Sequence, residues 1–245
     1  MIAPVPREDA DIDASSDEYA RRFAGAVGRW FLNTQTRLTL SALEGLEPGA
    51  LVLDVGGGHA QVAPALIEAG FRVVVVGSDA ACGRRLEPWT STGRCRFDVA
   101  DLQRLPYRDR EFDAVISYRM LAHSVRWIGL IDELCRVARD RAIVDYPSWR
   151  SVNAISRGLF AMKRSIEGAL TRPFALYRPA QVAAAFAAAG FVVRSQTPQF
   201  FLPMALHRLT RSARLGRLLE GPARGLRLTR YLGSPVIVRA DRRHD

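Results

Sequence analysis

The sequence predicts an α/β chain in which a mostly parallel sheet carries helices on both faces. Three observations predict it. Short apolar runs of strand length recur at 51–55, 73–76, 112–117 and 235–239. Segments with helical periodicity alternate with them, and the Gly-Phe pairs Gly70-Phe71 and Gly190-Phe191 end two of those helices directly ahead of a strand. With 245 residues, 48% of them hydrophobic, the chain can bury a large core, and one α/β domain of this size is ordinary.

In chain order, 17–30 and 34–46 read as two helices ahead of the sheet, the first with Asp17 as its start signal. Strand one is 51–55. The helix after it carries Val62, Ala65, Leu66 and Ala69 on one face and stops at Gly70, and Phe71 opens strand two. Strand three is 94–97 and strand four 112–117. Ile128, Ile131, Leu134, Cys135 and Ala138 recur at the period of a helix packed on a sheet, and 141–145 follows as strand five. The helix 179–189 has a proline near its start, turns Val182, Ala185, Phe186 and Ala189 inward, and stops at Gly190. Strand six runs from Phe191 toward Gln196, and 235–239 supplies a seventh. The domain reading is therefore a single unit over 1–245: helices in 1–48, a core in 49–200, a basic helical insertion in 201–233, and a last strand and tail in 234–245.

The most informative stretch is Leu51-Val-Leu-Asp-Val-Gly-Gly-Gly-His-Ala60, where an apolar strand runs into Gly56, Gly57 and Gly58. Side chains there would hold a ligand away from the backbone, and glycine alone readily takes the positive φ of a tight strand-to-helix turn. A dinucleotide-binding oxidoreductase wants G-x-G-x-x-G, whose last glycine would fall on Gln61, so that reading fails at its third glycine. Further acids follow in order. Asp79 ends the Val73–Val76 run, where nucleotide-type sites put a carboxylate for ribose hydroxyls. Asp101-Leu102-Gln-Arg-Leu-Pro106 follows strand three, and Ser117-Tyr118-Arg-Met-Leu-Ala-His123 follows strand four.

Together these segments resemble the motifs of the class I S-adenosylmethionine (SAM) dependent methyltransferases of the small-molecule type. The resemblance runs from about Leu51 to Asp145 and implies a single-domain Rossmann-like methyltransferase fold with SAM as cofactor. It implies a grip on the cofactor by Asp54, Gly56, Gly57, Gly58, Asp79, Asp101, Leu102 and Ser117, with Asp101 meeting the adenine amino group. It also implies that the helices of 1–48 lid the site. One departure is visible: relatives place the acid after strand two about where this chain has Gly77, ahead of Asp79.

The sulfonium of SAM makes its methyl carbon electrophilic, so such an enzyme works mainly by holding an acceptor lone pair in line behind it. A base is needed only where the acceptor must lose a proton, as a hydroxyl does, and imidazole has the unperturbed pKa closest to neutrality. His123 is the candidate base and Tyr118 its companion. Arg119 lies on the same loop, Tyr146 at the end of strand five, and Arg178 follows Arg172-Pro-Phe-Ala-Leu-Tyr177, similar to the acceptor-side segment of relatives; these three are the candidate acceptor contacts. Trp30, Phe31, Phe160, Phe174, Phe200 and Phe201 offer aromatic surface to an apolar acceptor or serve the core.

The formal net charge is +10, and Lys163 is the only lysine, so arginine carries nearly all of it. Between His207 and Arg230 lie seven arginines with Glu220 as the only acid; Leu209, Leu215, Leu218 and Leu219 supply an apolar side. The expected form is a solvated helical insertion, with peripheral contact to an anionic membrane surface as the functional alternative. A basic RNA-binding or RNA-modifying protein is the competing class, and no RRM or KH pattern supports nucleic acid. Cys82, Cys95 and Cys135 are too far apart for a C-x-x-C pair, so neither a zinc site nor redox work is expected. The amino end lacks the layout of a signal peptide and no apolar run has membrane-spanning length, so a cytoplasmic enzyme acting on a small or lipid-like acceptor is expected.

Overall fold

The computed structural model describes residues 9–151 and 175–243. Its strands are β1 (Leu51–Val55), β2 (Arg72–Gly77), β3 (Cys95–Val99), β4 (Phe112–Ser117), β5 (Ala138–Tyr146), β6 (Phe191–Phe200) and β7 (Ser234–Arg242). They form one sheet in the order β3-β2-β1-β4-β5-β7-β6. Every neighbouring pair is parallel except those of β7, which runs antiparallel to both β5 and β6. This is the mostly parallel seven-stranded sheet that the sequence predicts.

Valine runs make these strands because both faces of the sheet are covered, so no alternation with polar residues is required. Leu53, Val55, Val74 and Val76 join one core cluster, whereas Val52, Val73 and Val75 join a second on the opposite face. The first face receives the helices α6 (Trp127–Val137) and α7 (Pro179–Ala188); the second receives α3 (Gly25–Leu43) and α4 (Ala63–Glu68). On α7, Val182, Ala185 and Phe186 are buried as the periodicity predicts. On α6 the buried stripe is Leu130, Ile131, Leu134, Cys135 and Val137; Ile128 faces outward, and Ala138 already opens β5. Strand β6 continues past Gln196 to Phe200 despite Pro198, which an edge strand tolerates.

The amino-terminal region departs from the two-helix expectation. Two short helices, α1 (Ala10–Ser15) and α2 (Asp17–Arg21), precede α3. Ser16 caps α2 by accepting the Tyr19 amide, so Asp17 is the first helical residue and not the cap. The chain then doubles back: Gly25 is left-handed at φ +76°, and a Cβ on Gly28 would lie 2.0 Å from the Phe23 carbonyl oxygen. From Gly25 the helix runs unbroken through Trp30 and Thr34, where a break was expected. The hydroxyls of Thr34 and Thr39 donate to the carbonyls of Trp30 and Gln35 at 2.8 Å, which satisfies both groups without ending the helix.

Between β6 and β7 the insertion forms α8 (Met204–Thr210), α9 (Ala213–Gly225) and α10 (Leu228–Leu232), with a 3-10 turn (Ala80–Leu86) and α5 (Glu87–Thr90) lying earlier, after β2. No helix among the described residues is long and apolar enough to cross a membrane. Phe160, Phe174 and Lys163 lie outside the described residues. The strand order matters for function: the chain leaves β1 outward to β2 and β3, then returns to β4 on the other side of β1. The carboxyl ends of β1 and β4 therefore flank a topological switch point, the crevice where open α/β sheets bind ligands.

Candidate functional site

The glycine loop sits in that crevice. Gly56 leaves β1 left-handed, at φ +76°, and its amide donates to the Val76 carbonyl at 2.8 Å, which pins the loop to the end of β2. Ala60 is also left-handed, at φ 55°, and its amide donates to Gly57, which closes the turn. Asp54 is buried beneath the loop, so close that a Cβ on Gly57 would fall 2.1 Å from its carboxylate oxygen. Burial pushes the Asp54 carboxyl up to about 7, against the pull of the nearby Arg119 guanidinium.

Across the loop lies α1. A Cβ on Gly58 would meet the Ser15 Oγ and the Cys82 carbonyl, each at 2.4 Å, so only glycine fits between α1 and the turn after β2. Asp11 of α1 has no exposed surface. Its carboxylate accepts the Ser78 amide and the Ser78 hydroxyl, each at 2.6 Å, and the Cys82 thiol at 3.4 Å. A carboxylate thus stands at the carboxyl end of β2, where nucleotide-type sites hold ribose, but it comes from a segment that sequence reading left unassigned. Asp79, the residue expected there, is exposed and caps the 3-10 turn, accepting the Ala81 amide at 2.8 Å.

The other expected cofactor residues lie around the same end of the sheet. Ser117 is buried at the end of β4 and its hydroxyl donates to the Val55 carbonyl at 3.1 Å, joining the two strands that flank the crevice. Leu102 is buried beyond β3, and Asp101 is exposed, accepting the Gln103 amide at 2.9 Å.

Beside the loop runs a polar network. The Arg119 amide donates to Asp145 at 2.5 Å, and its guanidinium donates to the Gln61 amide oxygen at 3.1 Å. Gln61 donates in turn to Gln35 at 2.7 Å, and Gln35 to the second oxygen of Asp145 at 3.3 Å. Asp145 is buried, which raises its carboxyl to about 6, while the Arg119 amide pulls the other way. The Arg119 guanidinium also lies over Tyr19 and Phe23, at 5.5 and 5.7 Å from the ring centres. His59 packs on the same two rings; burial and the nearby arginines lower its pKa to about 4, so it is neutral at neutral pH. Gln61, which falls where a dinucleotide loop has its third glycine, and Gln35 are thus structural members of this network.

The expected acceptor-side residues are dispersed. The Tyr118 hydroxyl is buried against Thr39 at 2.6 Å, and burial drives its pKa well above the usual phenol value, so it holds structure and carries no mobile proton. His123 lies half-buried on the short 3-10 turn after β4 (Leu121–His123), which is tied down by the Tyr177 hydroxyl donating to Leu121 at 2.6 Å. Tyr146 is fully buried and donates to Gln196 at 2.9 Å. Arg178 is exposed at the start of α7, its guanidinium 6.0 Å from the Trp149 ring centre. Of these, Arg119 is a member of the polar network, and Tyr118 reaches it through Thr39, whose hydroxyl donates to the Gln35 carbonyl. Among the described residues no group of His, Cys, Asp and Glu is arranged to hold a metal, and all three cysteines are buried and free.

Residues 53–144 match a family model described as a methyltransferase domain. That match covers under half of the chain; together with the strand order and the glycine loop it places the fold with those of the class I SAM-dependent methyltransferases. Among curated proteins, the chain is 35% identical over 98 residues to a Mus musculus protein named Probable tRNA methyltransferase 9B. That match covers 39% of this chain and 21% of the relative, about a fifth of the relative's length. Among solved structures, magnesium protoporphyrin IX methyltransferase of Synechocystis PCC 6803 with bound SAH superposes with a TM-score of 0.62 at 18% identity, over 93% of this chain and 94% of that one. Geranyl diphosphate C-methyltransferase from Streptomyces coelicolor A3(2) gives 0.60 at 17% identity, over 86% and 79%. At these identities the likeness is one of fold.

The residues present fit the cofactor in kind: a left-handed glycine turn stands at the switch point and a carboxylate at the end of β2, with Gly56 and Gly58 buried against Met120, Ser15 and Cys82.

Proposed function

We propose that the chain transfers the methyl group of SAM to a small or lipid-like metabolite, with a hydroxyl as the favoured acceptor. The observation that carries this reading is the left-handed Gly56 turn closed over buried Asp54 at the switch point of the sheet. In the proposal Gly56, Gly57 and Gly58 face the amino-acid half of the cofactor, with Asp54 fixing the loop from below. With α1 lifted, Asp11 takes the ribose role expected of Asp79; Asp101 and Leu102 border the adenine, and Ser117 holds β4 to β1. The helices α1 and α2 form the lid.

The bound cofactor supplies an electrophilic methyl group, so what the protein adds is position and the exclusion of water. His123 is the proposed base for a hydroxyl acceptor, on the turn that leaves β4. Arg119 orients the acceptor from the polar network, Arg178 offers a charge at the outer edge, and Tyr146 is a wall. Tyr118, whose phenol is locked on Thr39, positions the turn that carries Arg119 and His123. A cytoplasmic location and contact with an anionic membrane surface belong to the same proposal.

Calorimetric titration with SAM tests it, since the reading requires a dissociation constant in the micromolar range or tighter and competition by S-adenosylhomocysteine. No heat and no competition would remove it. A second reading, methyl transfer to RNA, draws on the name of the mouse relative and on the arginine-rich insertion. It requires RNA binding that weakens steeply with salt, in proportion to the phosphates neutralised. Incubation with labelled SAM and a cell extract, fractionated into lipid, RNA and small-molecule pools, separates the two by where the label goes.

A further inference from the structure

Helix α9 carries its leucines on the wrong side for a core. Ala213, Gly216, Glu220 and Ala223 are its buried residues, and Gly216 sits so close to Trp30 that a Cβ would lie 2.6 Å from the ring. Leu215, Leu218 and Leu219, spaced i, i+3, i+4, share another face and are exposed, Leu218 to 72%. Leu209 on α8, at 79%, Leu226 just past α9, at 73%, and the Tyr231 ring on α10 are exposed in the same insertion. Single exposed leucines are ordinary on a protein surface; this many within one insertion mark a surface that something covers.

The charge around them has one sign. Glu220, the sole acid of the segment, is buried: its carboxylate accepts the amides of Phe201 and Leu202 at 3.0 and 2.9 Å and contacts His207 Nε2 at 2.9 Å. It therefore offsets nothing outside. Arg211, Arg214, Arg217, Arg224, Arg227 and Arg230 are exposed, and none forms a salt bridge with a carboxylate of the described residues. Three of them, Arg224, Arg227 and Arg230, line an open groove with Arg37 of α3 and Arg194 of β6, and no acid lines it.

We infer that 204–232 is a membrane-docking surface, with exposed leucines entering the interface of a bilayer and the arginines that border them, Arg214 on α9 and Arg211 just before it, taking the phosphates of anionic lipids. A leucine face bordered by arginines on a short helix is the arrangement that lies in a bilayer interface. Two other occupants fit less well. A second copy docked about a two-fold axis would set this arginine-bordered patch against itself with no acid to answer it. Nucleic acid would use the arginines and leave the leucines in water. The inference deepens the lipid-like acceptor reading, and its test separates the two.

The test is co-sedimentation of the full chain with vesicles of phosphatidylcholine alone and of phosphatidylcholine mixed with phosphatidylglycerol. The chain should bind the mixed vesicles about tenfold or more tightly than the neutral ones, less at high salt. The exposed double substitution Leu215→Ser and Leu218→Ser should lose about tenfold or more of that binding, and Arg211→Gln with Arg214→Gln should lose the preference for anionic lipid. Thermal melting confirms that each variant is folded. Equal binding to both vesicles, or full binding by the leucine variant, overturns the inference. So does a dimer in ultracentrifugation that Leu218→Ser dissociates, or RNA binding that the leucine variant keeps while vesicles are ignored. SAM titration on the same samples reads the pocket independently, so a chain that docks but binds no SAM leaves this inference standing and removes the methyl-transfer reading.

Discussion

The carboxylate of Asp11 accepts both the amide and the hydroxyl of Ser78 at 2.6 Å, so that the first helix is fastened to the end of the second strand beside the glycine loop. Residues 67 positions apart in the chain thereby complete one corner of the site.

If Asp11 is the carboxylate that meets the ribose, Asp11→Ala should weaken SAM binding by about 10- to 100-fold, the range of charged hydrogen bonds. Asp79→Ala, which removes an exposed cap, should change SAM affinity less than about threefold and cost about 1 kcal/mol of stability at most. Calorimetry on both variants decides; the reverse ranking returns the ribose role to Asp79.

That corner explains what could be read from sequence and what could not. The strands were legible because runs such as Val73–Val76 are apolar enough to be buried on both faces, and Gly56 because a strand running into consecutive glycines has few other uses. Asp11 was not legible, because its role depends on where α1 lands in space, and an acidic, proline-bearing amino end carries no periodic signal. Gln61 and Gln35 were missed for the same reason: their amides matter through each other, 26 positions apart. The insertion was legible as an amphipathic helix, but periodicity tells that a helix has an apolar side and not which side meets the protein.

Gly56→Ala should cost about 1–2 kcal/mol, because an L-residue is strained in the left-handed region that Gly56 occupies at φ +76°. Gly225→Ala should do the opposite, since that glycine lies in the last turn of α9, outside the left-handed region and with nothing but its chain neighbours within 4 Å of an added Cβ, and alanine favours helix by about 0.5–1 kcal/mol. Urea unfolding of the two variants gives both signs in one experiment.

Burial of Asp54 predicts a stability that depends on pH. Its carboxyl is raised from 3.8 to about 7 in the fold, so the folded chain keeps a proton that the unfolded chain has already lost. Stability from this group is fully present below about pH 4, falls as pH rises, and is gone above about pH 7. Asp54→Asn removes the dependence. Its melting temperature relative to the parent should climb between pH 4 and 7 and then level off, the total being on the order of a few kcal/mol. His59, held at about 4, acts in the same window with the opposite sign, and it cancels in the comparison because both proteins carry it. A difference that stays flat from pH 4 to 8 would mean that Asp54 is solvated.

Glu220 should matter to the insertion through the groups it satisfies. Glu220→Ala leaves the amides of Phe201 and Leu202 and the ring of His207 without their shared partner, at a cost on the order of 3 kcal/mol. Hydrogen exchange should then rise across α8 and α9 while β1 and β4 stay protected. Uniform loss of protection over the whole sheet would contradict this division.

Whether the turn after β1 is a cofactor loop is read directly by titration of the full chain and of Gly58→Val with SAM. The added side chain meets the Cys82 carbonyl and Ser15 within 2.4 Å of its first carbon. The parent should bind with micromolar or tighter affinity and the variant not at all, with S-adenosylhomocysteine competing. A parent that gives no heat, or a folded Gly58→Val that binds as the parent does, would contradict it.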